Sequence, residues 1–128
     1  MTITLRVREV LQDPARFVSH WRLSVAGMLL VADTDFRIFQ SCESGLDEGI
    51  SLRIDDPLAA RLLREALPEP PPGGWWYFGQ ALVQAWTRHD PGGWVLHEAV
   101  TVWLDEVGGK RPLCIQVRPC PWGWDRFL

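Results

Sequence analysis

Apolar residues fall at alternate positions in five separate runs of this chain, and at helical spacing in only one long run. Alternation is the mark of a strand with one buried face, because successive side chains point to opposite sides of a sheet. In Trp21–Val31, Trp21, Leu23, Val25, Leu29 and Val31 share one side, and Arg22 and Ser24 take the other. Gly27 interrupts that inner side, and a glycine inside a strand marks a bulge, a bend or a close backbone approach. The other runs are Asp35–Gln40, Ile50–Ile54, Trp75–Thr87 and Trp94–Leu104. In the third, Ile50, Leu52 and Ile54 point inward, with Ser51 and Arg53 outward.

The long helical run follows a clear start signal. Asp55 and Asp56 precede Pro57, which puts a capping carboxylate just before a proline at the first helical position. The helix is expected to reach Leu67. Leu58, Leu62 and Ala66 form one stripe, Ala59, Leu63 and Leu67 lie beside it, and Arg61, Arg64 and Glu65 face water. The segment PEPPPGG, 68–74, stops the helix in an extended loop. Upstream, Thr2–Val7 begins as a strand. Asp13-Pro14 repeats the start signal within 8–18, so one or two short helical turns are expected there, with Val10, Leu11, Phe17 and Val18 inward. SCESGLDEG, 41–49, reads as a polar acidic loop. Gly-rich turns at 88–93 and 105–112 lead to a last short strand, Leu113–Val117, and an irregular tail.

The expected fold is therefore mainly β with one or two helices. Strands joined by tight glycine turns pair antiparallel. A helix between the third and fourth of five strands is the order of the OB-fold, a partly open five-stranded barrel. The segment VREVLQDPARFVSHWRLSVAGMLLV resembles the entry to many bacterial OB-type domains. There a short helix with a proline leads into a strand of the type V-x-V-x-G-x-L, matched here by Val25, Gly27 and Leu29. A fainter echo, YFGQALV, carries Gly79 in the fourth strand. At the turn before the first barrel strand, Ser19-His20 stand where such domains often have glycine. The resemblance spans about 6–104 of one domain, 1–128, and leaves an extra strand and an aromatic tail at 105–128. It implies a five-stranded antiparallel OB-like barrel with a short N-terminal helix. It also implies a binding role, since OB domains hold single-stranded nucleic acid or sugars on strands two and three, or bind proteins. Fold alone does not choose among these. In size and acidic character the chain also resembles the immunity proteins of bacterial toxin–immunity pairs.

Charge separates these roles. The formal charge is −3 over 128 residues. Residues 33–56 hold Asp33, Asp35, Glu43, Asp47, Glu48, Asp55 and Asp56 against only Arg37 and Arg53. Phosphate binding draws its affinity from basic side chains that release counterions, and such a segment repels a nucleic-acid strand. A basic protein would be attracted to it, with faster association. The expected interface is Asp33, Asp35, Glu43, Asp47 and Glu48, with Trp122, Trp124 and Arg126 as anchors from the tail, because interfaces favour tryptophan and arginine. The plain alternatives are a solvated acidic loop and a tail folded back onto the barrel.

The aromatics of GGWWYFGQALVQAW raise the same choice. Trp76, Phe78, Leu82 and Trp86 share one strand face, and Tyr77, Ala81, Val83 and Ala85 the other. The smaller side chains suit a barrel interior. The larger ones then lie outside and need a cover, from the chain itself or from a partner.

No nucleophile, base and orienting group assemble in the sequence, so no enzyme and no cofactor are expected. The cysteines Cys42, Cys114 and Cys120 have neither zinc nor disulfide-framework spacing. No signal-peptide core and no apolar run of about 18 residues appears, which implies a cytoplasmic protein without a membrane span. The sequence reading is a non-enzymatic protein-binding module, most concretely an immunity protein that blocks a toxin. The alternative is an OB-fold single-strand binder. A free last strand would also offer an edge to a second copy, making a homodimer.

Overall fold

The computed structural model describes residues 2–18, 22–42, 45–107 and 111–119. The strands are β1 (Thr2–Arg6), β2 (Arg22–Val31), β3 (Phe36–Cys42), β4 (Gly45–Asp55), β5 (Tyr77–Asp90), β6 (Gly93–Val107) and β7 (Arg111–Gln116). The helices are α1 (Val7–Gln12) and α2 (Pro57–Ala66), with a short 3-10 turn at Pro14–Phe17. The chain is mainly β.

Five strands pair in a ring. β2 pairs with β3, β3 with β4, β4 with β6, β6 with β5, and β5 returns to β2. The expectation of a wholly antiparallel set needs correction. β4 and β6 run parallel over Arg53–Asp55 and Val95–His97. α2 and β5 separate those strands in the chain, and such a crossover permits parallel pairing. β1 also lies parallel to β2, after the crossover through α1, while β7 adds antiparallel to β6.

Two strands change partner along one edge. β2 pairs with β1 through Ala26 and with β3 from Met28. Gly27 stands at the change. A Cβ there would lie 2.4 Å from the Phe39 carbonyl oxygen and 3.0 Å from Ile38 Cγ1, so the close approach requires glycine. β6 likewise pairs with β4 through His97 and with β7 from Thr101. Between them its ladder to β5 breaks, and Glu98 takes a positive φ of 49°.

The expected acidic loop at 41–49 is mostly strand. β3 continues to Cys42 and β4 resumes at Gly45, with Gln40 opposite Asp47. The alternation was hidden because β4 breaks register here: Phe39 pairs with Ser51, and residues 48–50 form a bulge.

The core fills the ring. Val25, Leu29, Val31, Ile38, Leu52, Val83, Leu96, Val102 and Leu104 are all buried. Tyr77, Ala81, Val83 and Ala85 form the buried face of β5, as their alternation implies. α2 contributes Ala59, Ala60 and Leu63, and α1 contributes Val7 and Val10. Phe17 is buried, but Leu11 and Val18 are exposed, against expectation. A six-residue helix presents one narrow stripe, and Val7 and Val10 occupy it.

Candidate partner-binding face

The β2–β3 turn, the end of β4 and the start of α2 enclose a cleft of about 230 Å³, lined by Asp33, Asp35, Asp55, Asp56, Arg53 and Arg64 among others. Two of the residues expected at the interface, Asp33 and Asp35, are therefore in one place. Asp33 is exposed and accepts a hydrogen bond from the Trp76 indole at 3.2 Å. Asp35 pairs with Arg37 at 3.3 Å, and Arg37 also donates to Ser51 Oγ at 2.8 Å. Arg64 on α2 donates to the carbonyl oxygens of Ala32 and Asp33 at 2.6 and 3.1 Å, which fixes the turn to the helix.

Arginines from distant elements converge on this end of the ring. Arg88 of β5 bonds Asp55 and Asp90, and Arg53 reaches Asp90 at 2.9 Å. Hydrogen bonding to Arg88 holds the Asp90 carboxyl below its usual range. Side-chain exposure runs from 19% at Asp90 to 45% at Arg53, so solvent screens the network and it orients side chains more than it stabilises the fold.

Asp56 differs, for its side chain is fully buried. It caps α2 by accepting from Ala59 N at 3.1 Å, and it holds the β6 bulge by accepting from Ala99 N at 2.8 Å. Arg118 donates to its two oxygens at 2.6 and 3.0 Å and to the Ala99 carbonyl at 2.8 Å. Burial pushes the Asp56 carboxyl up, but hydrogen bonds from Arg118, Ala59 and Ala99 outweigh it, so its pKa is lowered. One carboxylate thus joins the helix cap, the strained bulge and the chain after β7.

The acids separate into two groups. Asp35, Asp55, Asp56 and Asp90 meet arginines near α2. At the other end of the β3–β4 pair, residues 41–50 contain Glu43, Asp47 and Glu48 and no basic residue. The backbone of Asp47 and Glu48 belongs to β4. Glu43 and the expected tail anchors Trp122, Trp124 and Arg126 lie outside the described residues.

The aromatics also separate. Trp86 is buried with Val100 in a small cluster apart from the main core. Trp76 is half-buried above Asp33, and Trp94 meets the His89 ring edge-on at 5.1 Å. Trp75 is 59% exposed. Its ring lies 5.6 Å from Phe78, which lies 6.4 Å from Phe39. These three rings are on the outer side of the β5–β2–β3 sheet, with half-buried Leu30 and Met28 between the strands that carry Phe78 and Phe39. Sequence reasoning missed this grouping, since Phe39 joins it only through the β2–β3 and β2–β5 registers.

Among the described residues no group of three or more His, Cys, Asp or Glu could hold a metal ion, and no helix is long and apolar enough to cross a membrane. Cys114 is an exposed free thiol. A scan against protein-family models, a search of curated proteins and a search of solved structures found no match to this chain.

Proposed function

We propose that this chain is a non-enzymatic protein-binding module built on an OB-type barrel, and most concretely an immunity protein that occludes a toxin. Support for the OB-type reading comes from the strand order β2-β3-β4-β6-β5, the return of β5 to β2, and the place of α2 between β4 and β5. The observation that carries the protein-binding reading is the separation of charge. The arginines that the fold brings in are engaged near α2, while the sequence of 41–50, which leads from β3 into β4, contains Glu43, Asp47 and Glu48 and no base. A segment of that charge attracts a basic protein surface and repels a phosphate backbone. Blocking would be steric and electrostatic, with no turnover.

Single-strand binding remains the second reading because Trp75, Phe78 and Phe39 form a stackable surface. Paired substitutions separate the two. Asp47→Lys is expected to weaken binding to a basic partner and to leave oligonucleotide binding absent. Arg37→Glu is expected to leave partner binding intact. The assay is anisotropy titration of a labelled oligothymidylate beside calorimetric titration of the captured partner. Oligonucleotide binding that Arg37→Glu abolishes would overturn the protein-binding reading.

A further inference from the structure

β2, β5, β6 and β7 form one stretch of sheet whose outer face carries a second cleft, of about 250 Å³. Among the described residues it is lined by Ser24, Leu82, Gln84, Thr101, Trp103 and Cys114. Leu23, Val25, Val83 and Val102 are buried in the ring, so alternation turns Ser24, Leu82, Gln84, Thr101 and Trp103 outward. Cys114 lies between Leu113 and Ile115, which pack on the core. The strand registers sort this lining into two rows. Ser24 pairs with Gln84, and Gln84 with Thr101, which sets three uncharged hydrogen-bonding side chains across β2, β5 and β6. Leu82 pairs with Trp103, and Trp103 with Cys114, which sets an apolar row across β5, β6 and β7. The rows are two residues, or about 7 Å, apart.

This lining limits what can enter. It holds no charged side chain, and a charged group moved against such walls would lose hydration without gaining a partner. A cavity of roughly 150 Å³ accommodates benzene, so about 250 Å³ admits a second fused ring. The apolar row offers the half-buried Trp103 ring for offset stacking. The polar row offers two hydroxyls and a primary amide, each able to donate and to accept. Ser24 is the observation that points to a ligand. It is only 9% exposed, yet its hydroxyl bonds no described residue and opens onto the cleft. A hydroxyl so placed is unfavourable when left without a partner, and a guest that reaches it gains the bond.

We propose that this cleft binds an uncharged, planar bicyclic compound with an amide-like edge, a C=O beside an N–H. That edge hydrogen-bonds to Ser24, Gln84 and Thr101. The ring system stacks on Trp103 against Leu82, and the exposed thiol of Cys114 lies at the rim. The cleft is on β2, β5, β6 and β7, away from the acidic segment between β3 and β4, so the proposal does not depend on the protein-binding reading above.

The test uses the whole chain and 2-quinolone as the probe. Naphthalene supplies the rings without the polar edge, and 2-naphthoate supplies them with a charge. Alkylation of Cys114 by N-ethylmaleimide, followed residue by residue through peptide mass mapping, reports occupancy of the cleft in the unaltered protein. Saturating 2-quinolone is expected to slow that alkylation about tenfold, with one site in a calorimetric titration. Naphthalene is expected to bind about tenfold more weakly, and 2-naphthoate not to bind. Ser24→Ala removes one oxygen from the outer face and is expected to weaken 2-quinolone about fivefold, the loss of one hydrogen bond. Leu82→Trp fills the cleft and is expected to abolish binding. Binding that leaves Cys114 alkylation unchanged would overturn the proposal. So would equal binding of naphthalene, or no binding of 2-quinolone at about 1 mM. Each of these results leaves the acidic-segment reading standing, because the partner and oligonucleotide titrations test that separately.

Discussion

Asp56 holds three elements through one buried carboxylate, and that makes Arg118 more than a neighbour. Removing one partner of a buried pair leaves an uncompensated charge. Arg118 keeps part of its side chain in solvent, so Arg118→Ala is expected to cost about 3 kcal/mol, at the low end for such pairs. Urea unfolding measures it, and a loss within about 0.5 kcal/mol, ordinary for a surface change, would contradict this role. The pH dependence follows from the lowered pKa of Asp56. Its contribution is fully present above the ordinary carboxylate range and is lost as pH falls through its folded-state pKa. Asp56→Asn should therefore be less stable at neutral pH and lose less stability on acidification than the parent. Gly27 gives a second check. Its added Cβ would meet backbone, which cannot swing away, so Gly27→Ala is expected to cost about 1–3 kcal/mol. An unchanged unfolding midpoint would contradict the close approach of β2 to β3.

At the scale of elements, the β3–β4 hairpin and the β6 bulge both act through register. The backbone of Asp47 and Glu48 stands at the break in the β3–β4 ladder, where a bulge locally disrupts the pairing. Replacing both by lysine is expected to change partner association rate and its salt dependence far more than dissociation, as for charges at an interface rim. Stopped-flow association at two ionic strengths reads this, and a salt-independent rate in the parent would contradict steering. Much of the element order was legible because it depends on local signals. Asp56-Pro57 started α2, and alternation gave the two faces of β5. The strand character of 41–42 and 45–49 was not legible, because a bulge breaks period two where acids already suggest a loop. Nor were the ion pairs. Arg88 meets Asp55 across 33 residues and Arg118 meets Asp56 across 62, and only the closed pairing of strands sets those distances. Of the expected interface, Asp33 and Asp35 were brought together at the cleft, and Asp35 proved to be charge-paired.

For the molecule as a whole, the ring of strands leaves two unlike surfaces. One end is packed by α2 and cross-braced by arginine–aspartate pairs, while the sequence that leads from β3 into β4 is acidic without a base, and Trp75, Phe78 and Phe39 lie on the outer face of the sheet. That asymmetry suits a molecule that meets one basic partner in one orientation. The most direct measurement is affinity capture from the source organism's lysate, with the captured protein identified, purified and titrated back. Oligothymidylate is titrated against the same preparation at low salt. The account predicts one basic protein that rebinds the parent and rebinds Asp47→Lys weakly, with no oligonucleotide binding. Tight, salt-sensitive oligonucleotide binding with no rebinding protein would contradict it and make Trp75, Phe78 and Phe39 a base-stacking surface.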